Sequence, residues 1–412
     1  MNDLQKGEES LDPLEVIENV PHVVPQFQPV LNSSEYRIIG YEVLGRINQD
    51  GALHSLGPFF RDLSVPSEYK WEVDKELYRQ AVKRVLEEKL LSRLFFNVDP
   101  NTLVQLHCLE ELMELFEEFC KEGLHRKQVV FEMRLTDYQG DLNDLSHMIM
   151  YMKASGYSVA LDDIKTNDAN LDQLSKLEPN IIKVELSDLK SSVNVHTYRD
   201  VLSALSIFAR KIGAGLHFKG IQDAHQLHIA WKHGGRFLQG FYLHEPVNEF
   251  IDEYTIHPFL QKSIHSFIDM AHRKLQSQID FICWMDAKME EKSHDVFTDQ
   301  LVENIAKETH EASFRVYVCD VYGYQKSPNW IKNEDKQWTP DETTRGKNWS
   351  WRTYFLAHIM QMKYRKSGVL SDKYRDIETN DLIRTYSYPL GDEHYIFIDL
   401  DPVFLFENDW LL

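Results

Sequence analysis

The chain is short of cysteine, of basic residues and of long apolar runs, and each shortage excludes something. Its four cysteines, Cys108, Cys120, Cys283 and Cys319, form no Cys-x-x-Cys pair and lack the close spacing of a disulfide framework. They read as reduced thiols of a cytosolic protein. No segment is apolar for long enough to cross a bilayer, and the polar start "MNDLQKGEESLDPLEVIENV" is no basic-then-apolar leader. The expected location is therefore cytoplasmic, with no membrane span. Lys and Arg number 45 against 65 Asp and Glu, a net charge of −20. Duplex DNA and anionic membranes reward a basic face and are not expected partners. An anionic small ligand stays open, because carboxylates gathered around divalent cations become locally positive once loaded.

What is present is length for two domains, 412 residues, with 43% hydrophobic and 12% aromatic residues to build their cores. From Val23 to about Val247, short apolar runs alternate with longer amphipathic stretches, the pattern of repeated strand-helix units. The strand candidates are "VVPQFQPV", "YRIIGYEV", "RLFFNVD", "QVVFEM", "YSVALDD", "NIIKVEL", "GAGLHF" and "GRFLQGF". Their count and spacing predict an α/β fold, a (β/α)8-type barrel. Strand after strand ends on a group suited to metal or phosphate: Glu42, Asn97, Glu132, Asp162, Lys183, Lys219 and Gln239. In a barrel all carboxyl ends meet at one mouth, so residues distant in sequence would share one pocket. The adjacent carboxylates Asp162 and Asp163 are the sharpest signal, because burying two such charges requires cations to neutralise them. Taken singly, each residue has a plainer reading: the Asp pair a turn or helix cap, Glu132 and Arg46 ion pairs, Lys183 a solvated lysine, Gln239 an amide closing a strand.

In this order "FQPVLNSSEYRIIGYEVLGRI", "FFNVDP", "VVFEM", "VALDD", "LEPNIIKVE" and "GGRFLQGFYLHEP" resemble the EAL domain, the family of cyclic-di-GMP phosphodiesterases, over roughly residues 20 to 250. Val43 stands where the name-giving Ala is usual. Hydrolysing a phosphodiester needs an attacking hydroxide, neutralised phosphoryl oxygens and a stabilised leaving oxygen, which two divalent cations about 4 Å apart provide. The resemblance implies that Glu42, Asn97, Glu132 and Asp162 hold the first cation, and that Asp162 and Asp163 help to hold the second. The ion would be Mg²⁺ or Mn²⁺, with Ca²⁺ able to substitute without supporting chemistry. Lys183 would orient the water or stabilise charge, Gln28 and Arg46 would contact cyclic-di-GMP, and Gln239 would lie near the metal.

The pattern departs where chemistry is closest. In "FKGIQDAHQL", Lys219 and Gln222 occupy the positions of two family glutamates. The first of these is the family's general base, a task a protonated lysine cannot perform; the second holds the loop after the Asp pair. That loop, "DIKTND", has Lys165 and Asn167 where the family has glycines, and Glu185 replaces an Asp. The expectation is a metal-dependent cyclic-di-GMP receptor with weak or absent hydrolysis. The alternatives are an active phosphodiesterase giving linear pGpG, and a scaffold that binds no nucleotide and signals through its C-terminal domain.

After Pro246 the pattern changes. Residues 1–20 read as an N-terminal extension, 21–254 as the barrel, 255–312 as a helical connector and 313–412 as a smaller α+β domain. The last part resembles PAS-like or Cache-like sensor modules through "VYVCDVYGYQKSPNW" and "WSWRTYF". Aromatics near Arg352 could line a pocket for an unidentified small ligand, whereas a Trp-rich segment at this density is more often core or a dimer surface. The apolar helix pattern of the connector predicts a homodimer.

Overall fold

The structure, a computed structural model, describes residues 12–49, 51–165, 170–186, 195–292 and 297–411. The chain divides into two compact units, Met1–Ser266 and Phe267–Leu412.

The first unit is built on nine strands: β1 (Val23–Asn32), β2 (Arg37–Gln49), β3 (Ala52–Ser55), β4 (Arg93–Asn97), β5 (Val129–Arg134), β6 (Ser158–Ile164), β7 (Ile181–Glu185), β8 (Gly215–Lys219) and β9 (Phe237–Leu238). They pair in the order β1-β9-β8-β7-β6-β5-β4-β2-β3, and an added β1–β2 pairing closes eight of them into a ring. From β2 through β4 to β9 the ring strands run parallel. Helices such as Leu109–Glu122, Leu142–Ala154 and Ala224–Lys232 provide the crossovers that parallel pairing requires. The last two of these helices have capped starts: Asp141 accepts from Asn143 N at 2.6 Å, and Asp223 from Gln226 N at 2.9 Å. β1 is the exception, running antiparallel to both β2 and β9. Only residues 33–36 join β1 to β2, enough for a hairpin and far too few for a crossover.

The side-chain period of two builds the mouth of this barrel in layers. Val30, Phe95, Val130, Ala160, Ile181 and Phe237, one from each of six strands, form an apolar layer. His217 joins it, its ring 5.9 Å from that of Phe95 and 6.0 Å from that of Phe237. Two residues along the same faces stand Gln28, Asn97, Glu132, Asp162, Lys183, Gln239 and Lys219. A polar floor therefore rests on an apolar plug.

The second unit has a six-stranded antiparallel sheet in which β10 (Ser313–Asp320) and β17 (His394–Leu400) are central, with β11 (Asn329–Lys332), β12 (Trp338–Asp341), β13 (Val369–Leu370) and β16 (Thr385–Leu390) outside them. The short pair β14 (Tyr374–Arg375) and β15 (Leu382–Ile383) stands apart. One face packs Phe281, Met285 and Met289 of the long helix His257–Glu290, together with Leu301, Val302 and Ile305 of the helix Asp299–Glu308. The other packs Phe355, Ile359 and Met362 of the helix Phe355–Arg365 against Tyr317, Tyr395 and Phe397. After β10 the chain turns at Tyr322, Gly323 and Tyr324, with Gly323 at φ +86° and Cys319 bridged to Gln325.

Candidate functional site

The polar floor is one connected set of charges. Lys183 is fully buried, and its Nζ donates to Glu42 Oε2 at 2.9 Å and to Glu132 Oε1 and Oε2 at 2.6 and 2.7 Å. Asn97 Nδ2 donates to Glu42 Oε1 at 3.2 Å. Gln239 Nε2 donates to Glu42 Oε2 at 2.8 Å and to Gln28 Oε1 at 3.1 Å. Beside this network Lys219 Nζ donates to Asp162 Oδ2 at 2.9 Å and lies 2.8 Å from Oδ1 without hydrogen-bond alignment. The seven strand-end residues and Gln28 thus meet at the mouth, in two adjoining groups.

Burial and mutual charge decide the proton inventory. Burial alone would raise Glu42, but Lys183 and then Lys219 hold it down at about 2. Asp162 is likewise buried, and the same two ammonium groups keep it well below the carboxylate range. At Glu132 burial, with repulsion from Glu42 and Asp162, outweighs Lys183 and pushes the carboxyl up to about 8. Both lysines are raised: burial opposes their charge, while Glu132 and Glu42 at Lys183, and Asp162 at Lys219, more than offset it. The floor is therefore close to electroneutral with two cations supplied by the chain itself.

Three buried carboxylates and an amide on neighbouring strand ends are an oxygen donor set suited to a hard divalent ion. Among the described residues, however, no three acid, His or Cys side chains converge as a finished cation site. Lys183 stands between Glu42 and Glu132, and Lys219 against Asp162. The donor set fits one ion; a second, beside Asp162, would meet the Lys219 ammonium.

The remaining expected residues take other positions. Arg46 lies four β1–β2 pairs beyond the floor, its Nε donating to Gln26 Oε1 at 2.8 Å and its Nη1 to Gly45 O at 3.0 Å. Asp163 lies in a bulge where β6 loses register with β7 between Leu161 and Ile164, at φ +57°. The left-handed backbone angle and the bulge are local features that an apolar strand pattern does not foretell. Gln222 uses its backbone N–H to bond Gln226 Oε1 at 2.6 Å, opening the helix Ala224–Lys232. The loop it was expected to hold includes Asn167, which lies outside the described residues. Gly240, after Gln239, has φ +156°, and a Cβ there would strike the Ile221 backbone. Sequence reading missed His217, although its place two residues before Lys219 marks it as facing inward. It is fully buried, neither ring nitrogen has a partner among the described residues, and burial and then Lys183 hold it well below the usual histidine range.

Comparison with known proteins bears on this mouth directly. Residues 15–246 match the model of the EAL domain, and residues 250–412 match that of an EAL-domain associated signalling protein domain. The chain belongs to the EAL-domain family. The EAL-domain containing protein YkuI of Bacillus subtilis (strain 168) is 37% identical over 98% of this chain and 100% of its own length. The crystal structure of YkuI in complex with substrate c-di-GMP and calcium superposes with a TM-score of 0.91, covering 98% of this chain and all of that one. PdeG of Escherichia coli (strain K12), named as a probable cyclic di-GMP phosphodiesterase, is 23% identical over 56% of this chain and 45% of its own length. The barrel of this EAL protein and its smaller C-terminal domain accordingly have the architecture expected from the strand pattern. No helix among the described residues is long and apolar enough to cross a membrane.

Proposed function

We propose that this EAL protein is a cytoplasmic cyclic-di-GMP receptor that hydrolyses its ligand slowly or not at all. The observation that carries the reading is the Lys219 ammonium seated 2.8 and 2.9 Å from the two oxygens of Asp162, where the family pattern has a general-base glutamate. A protonated lysine accepts no proton from water, and its charge opposes a neighbouring second cation. Glu42, Asn97, Glu132 and Asp162 would hold one divalent ion, Mg²⁺ or Mn²⁺ in the cell, with Ca²⁺ as a non-supporting substitute. Such an ion, when bound, neutralises charge on a phosphoryl oxygen. Gln28 and Arg46 would contact the nucleotide, with Gln239 steadying Glu42 beside it. Lys183 keeps Glu42 charged and Glu132 in place. The C-terminal unit, which carries the PAS/Cache-like reading, would supply the sensor input, and the chain would act as a homodimer.

The complex of YkuI with c-di-GMP and calcium supports the binding half. That c-di-GMP is bound to YkuI as substrate favours the second reading, an active phosphodiesterase that releases pGpG. Calorimetric titration with cyclic-di-GMP and Ca²⁺ or Mg²⁺ tests the first; no heat of binding at tens of micromolar overturns it. Chromatographic detection of pGpG tests the second, which stands if turnover reaches about 1 per second. Lys219→Glu restores a carboxylate: we expect the metal stoichiometry to rise from one to two per chain and hydrolysis to increase tenfold or more. An unchanged stoichiometry would contradict the role given to Lys219.

A further inference from the structure

The two ammonium groups of the barrel floor are used unequally. Each carries three protons. Those of Lys183 are all taken, by Glu42 Oε2 and by both oxygens of Glu132, and its side chain is fully buried. Lys219 makes one aligned hydrogen bond, to Asp162 Oδ2 at 2.9 Å, and no other among the described residues. Asp162 Oδ1, 2.8 Å away, has no aligned donor there. Two protons of Lys219 are therefore undirected, on the floor ammonium that keeps part of its surface exposed.

The backbone fixes where that ammonium stands. Lys219 is the last residue of β8, paired with Glu185 of β7, and its carbonyl accepts from Leu186 N at 3.1 Å. On the other side Phe218 O accepts from Gln239 N at 2.9 Å. Gly220 follows in the left-handed conformation, at φ +71°. The chain thus leaves the strand immediately after Lys219, whose side chain stands at the mouth and not in the packed layer below.

Charge gives this ammonium a use beyond Asp162. Counted as ions, Glu42, Glu132 and Asp162 bring three negative charges to the floor, and Lys183 and Lys219 two positive ones. One divalent ion leaves a single net positive charge, the complement of one phosphodiester. Without Lys219, the same ion would leave the floor neutral.

We propose that Lys219 is a phosphate-binding residue, an inference that rests on the protein's being a cyclic-di-GMP receptor. Its ammonium keeps Asp162 and donates a second hydrogen bond to a non-bridging oxygen of one phosphodiester of the dinucleotide, supplying the charge that a second cation would bring. A lysine is a compact cation with freely rotating donors, suited to a single phosphoryl oxygen. A lysine present only to neutralise Asp162 would contribute nothing to nucleotide affinity.

The test is calorimetry on the full chain. Ca²⁺ is titrated alone, and cyclic-di-GMP is then titrated with Ca²⁺ held at one equivalent per chain. Lys219→Met should move the two affinities in opposite directions. Ca²⁺ should bind about threefold more tightly or better, because Asp162 is no longer shared, while cyclic-di-GMP should bind about tenfold more weakly or worse, the scale of one charge-assisted hydrogen bond. A merely damaged mouth would weaken both. Lys219→Glu is the second variant: its nucleotide affinity should fall at least as far at one equivalent of Ca²⁺ and recover as a second equivalent replaces the lost ammonium. The proposal is overturned if folded Lys219→Met binds cyclic-di-GMP as tightly as the parent, if its two affinities fall together, or if Lys219→Glu shows no deficit at one equivalent. Absence of heat from the parent itself would overturn the receptor reading and this role with it, whereas failure of the variants alone leaves that reading standing.

Discussion

Lys183 is the residue on which the barrel floor depends, because it is the partner common to Glu42 and Glu132. Replacing it by Met leaves two buried carboxyl groups without their cation, a loss of about 3–5 kcal/mol for a buried pair broken on one side. Urea denaturation should show that loss, and added Ca²⁺ should recover much of it by replacing one cation with another. His358 makes a separate prediction. Burial holds its imidazole down to about 4. Between pH 4 and the unfolded value of 6.5 the folded chain therefore binds fewer protons than the unfolded one. Stability climbs with pH across this window and is lost as pH falls through it, by about 2–3 kcal/mol in all. His358→Gln should flatten this part of the stability profile measured by denaturant titration. At this scale the sequence was legible where alternation governs: Glu42, Asn97, Glu132, Asp162, Lys183, Lys219 and Gln239 do meet. It was not legible where one backbone angle or one partner decides. The left-handed turn at Asp163, the seating of Arg46 on Gln26 and the isolation of His217 depend on tertiary neighbours that no local pattern encodes.

Among the elements, β1 and the long helix His257–Glu290 depart furthest from a simple strand-helix repeat. The strand positions were readable from apolar runs, and the antiparallel entry of β1 follows from the brevity of the 33–36 connection. The helix has a firmer attachment than its pattern suggested. Asp286 Oδ1 accepts from Gly368 N at 2.9 Å and from the buried Tyr386 hydroxyl at 2.5 Å, while Phe281, Met285 and Met289 enter the core of the sheet. Asp286→Ala should lower the unfolding free energy of the C-terminal unit by about 2–3 kcal/mol through the two donors it strands, and Asp286→Asn should recover most of that. Fluorescence-monitored denaturation checks both.

For the whole molecule, the division after Ser266 falls within that helix, so the segment between barrel and sheet belongs partly to the second core. A fragment of residues 255–412 should unfold cooperatively on heating. One of residues 313–412, lacking Phe281, Met285, Met289, Leu301, Val302 and Ile305, should show no cooperative transition by circular dichroism. Two cooperative fragments would mean that the sheet does not need the helices His257–Glu290 and Asp299–Glu308. The floor of the barrel has its own consequence for the chemistry of the intact protein. The Lys183 side chain has 0% of its surface exposed and that of Lys219 has 19%. An acylating reagent reaches an amine only through solvent, so of the two lysines that neutralise the mouth, one is sealed and the other is open to covalent silencing. Acylation there would remove a positive charge from beside Asp162 while leaving the charge under Glu42 and Glu132 intact.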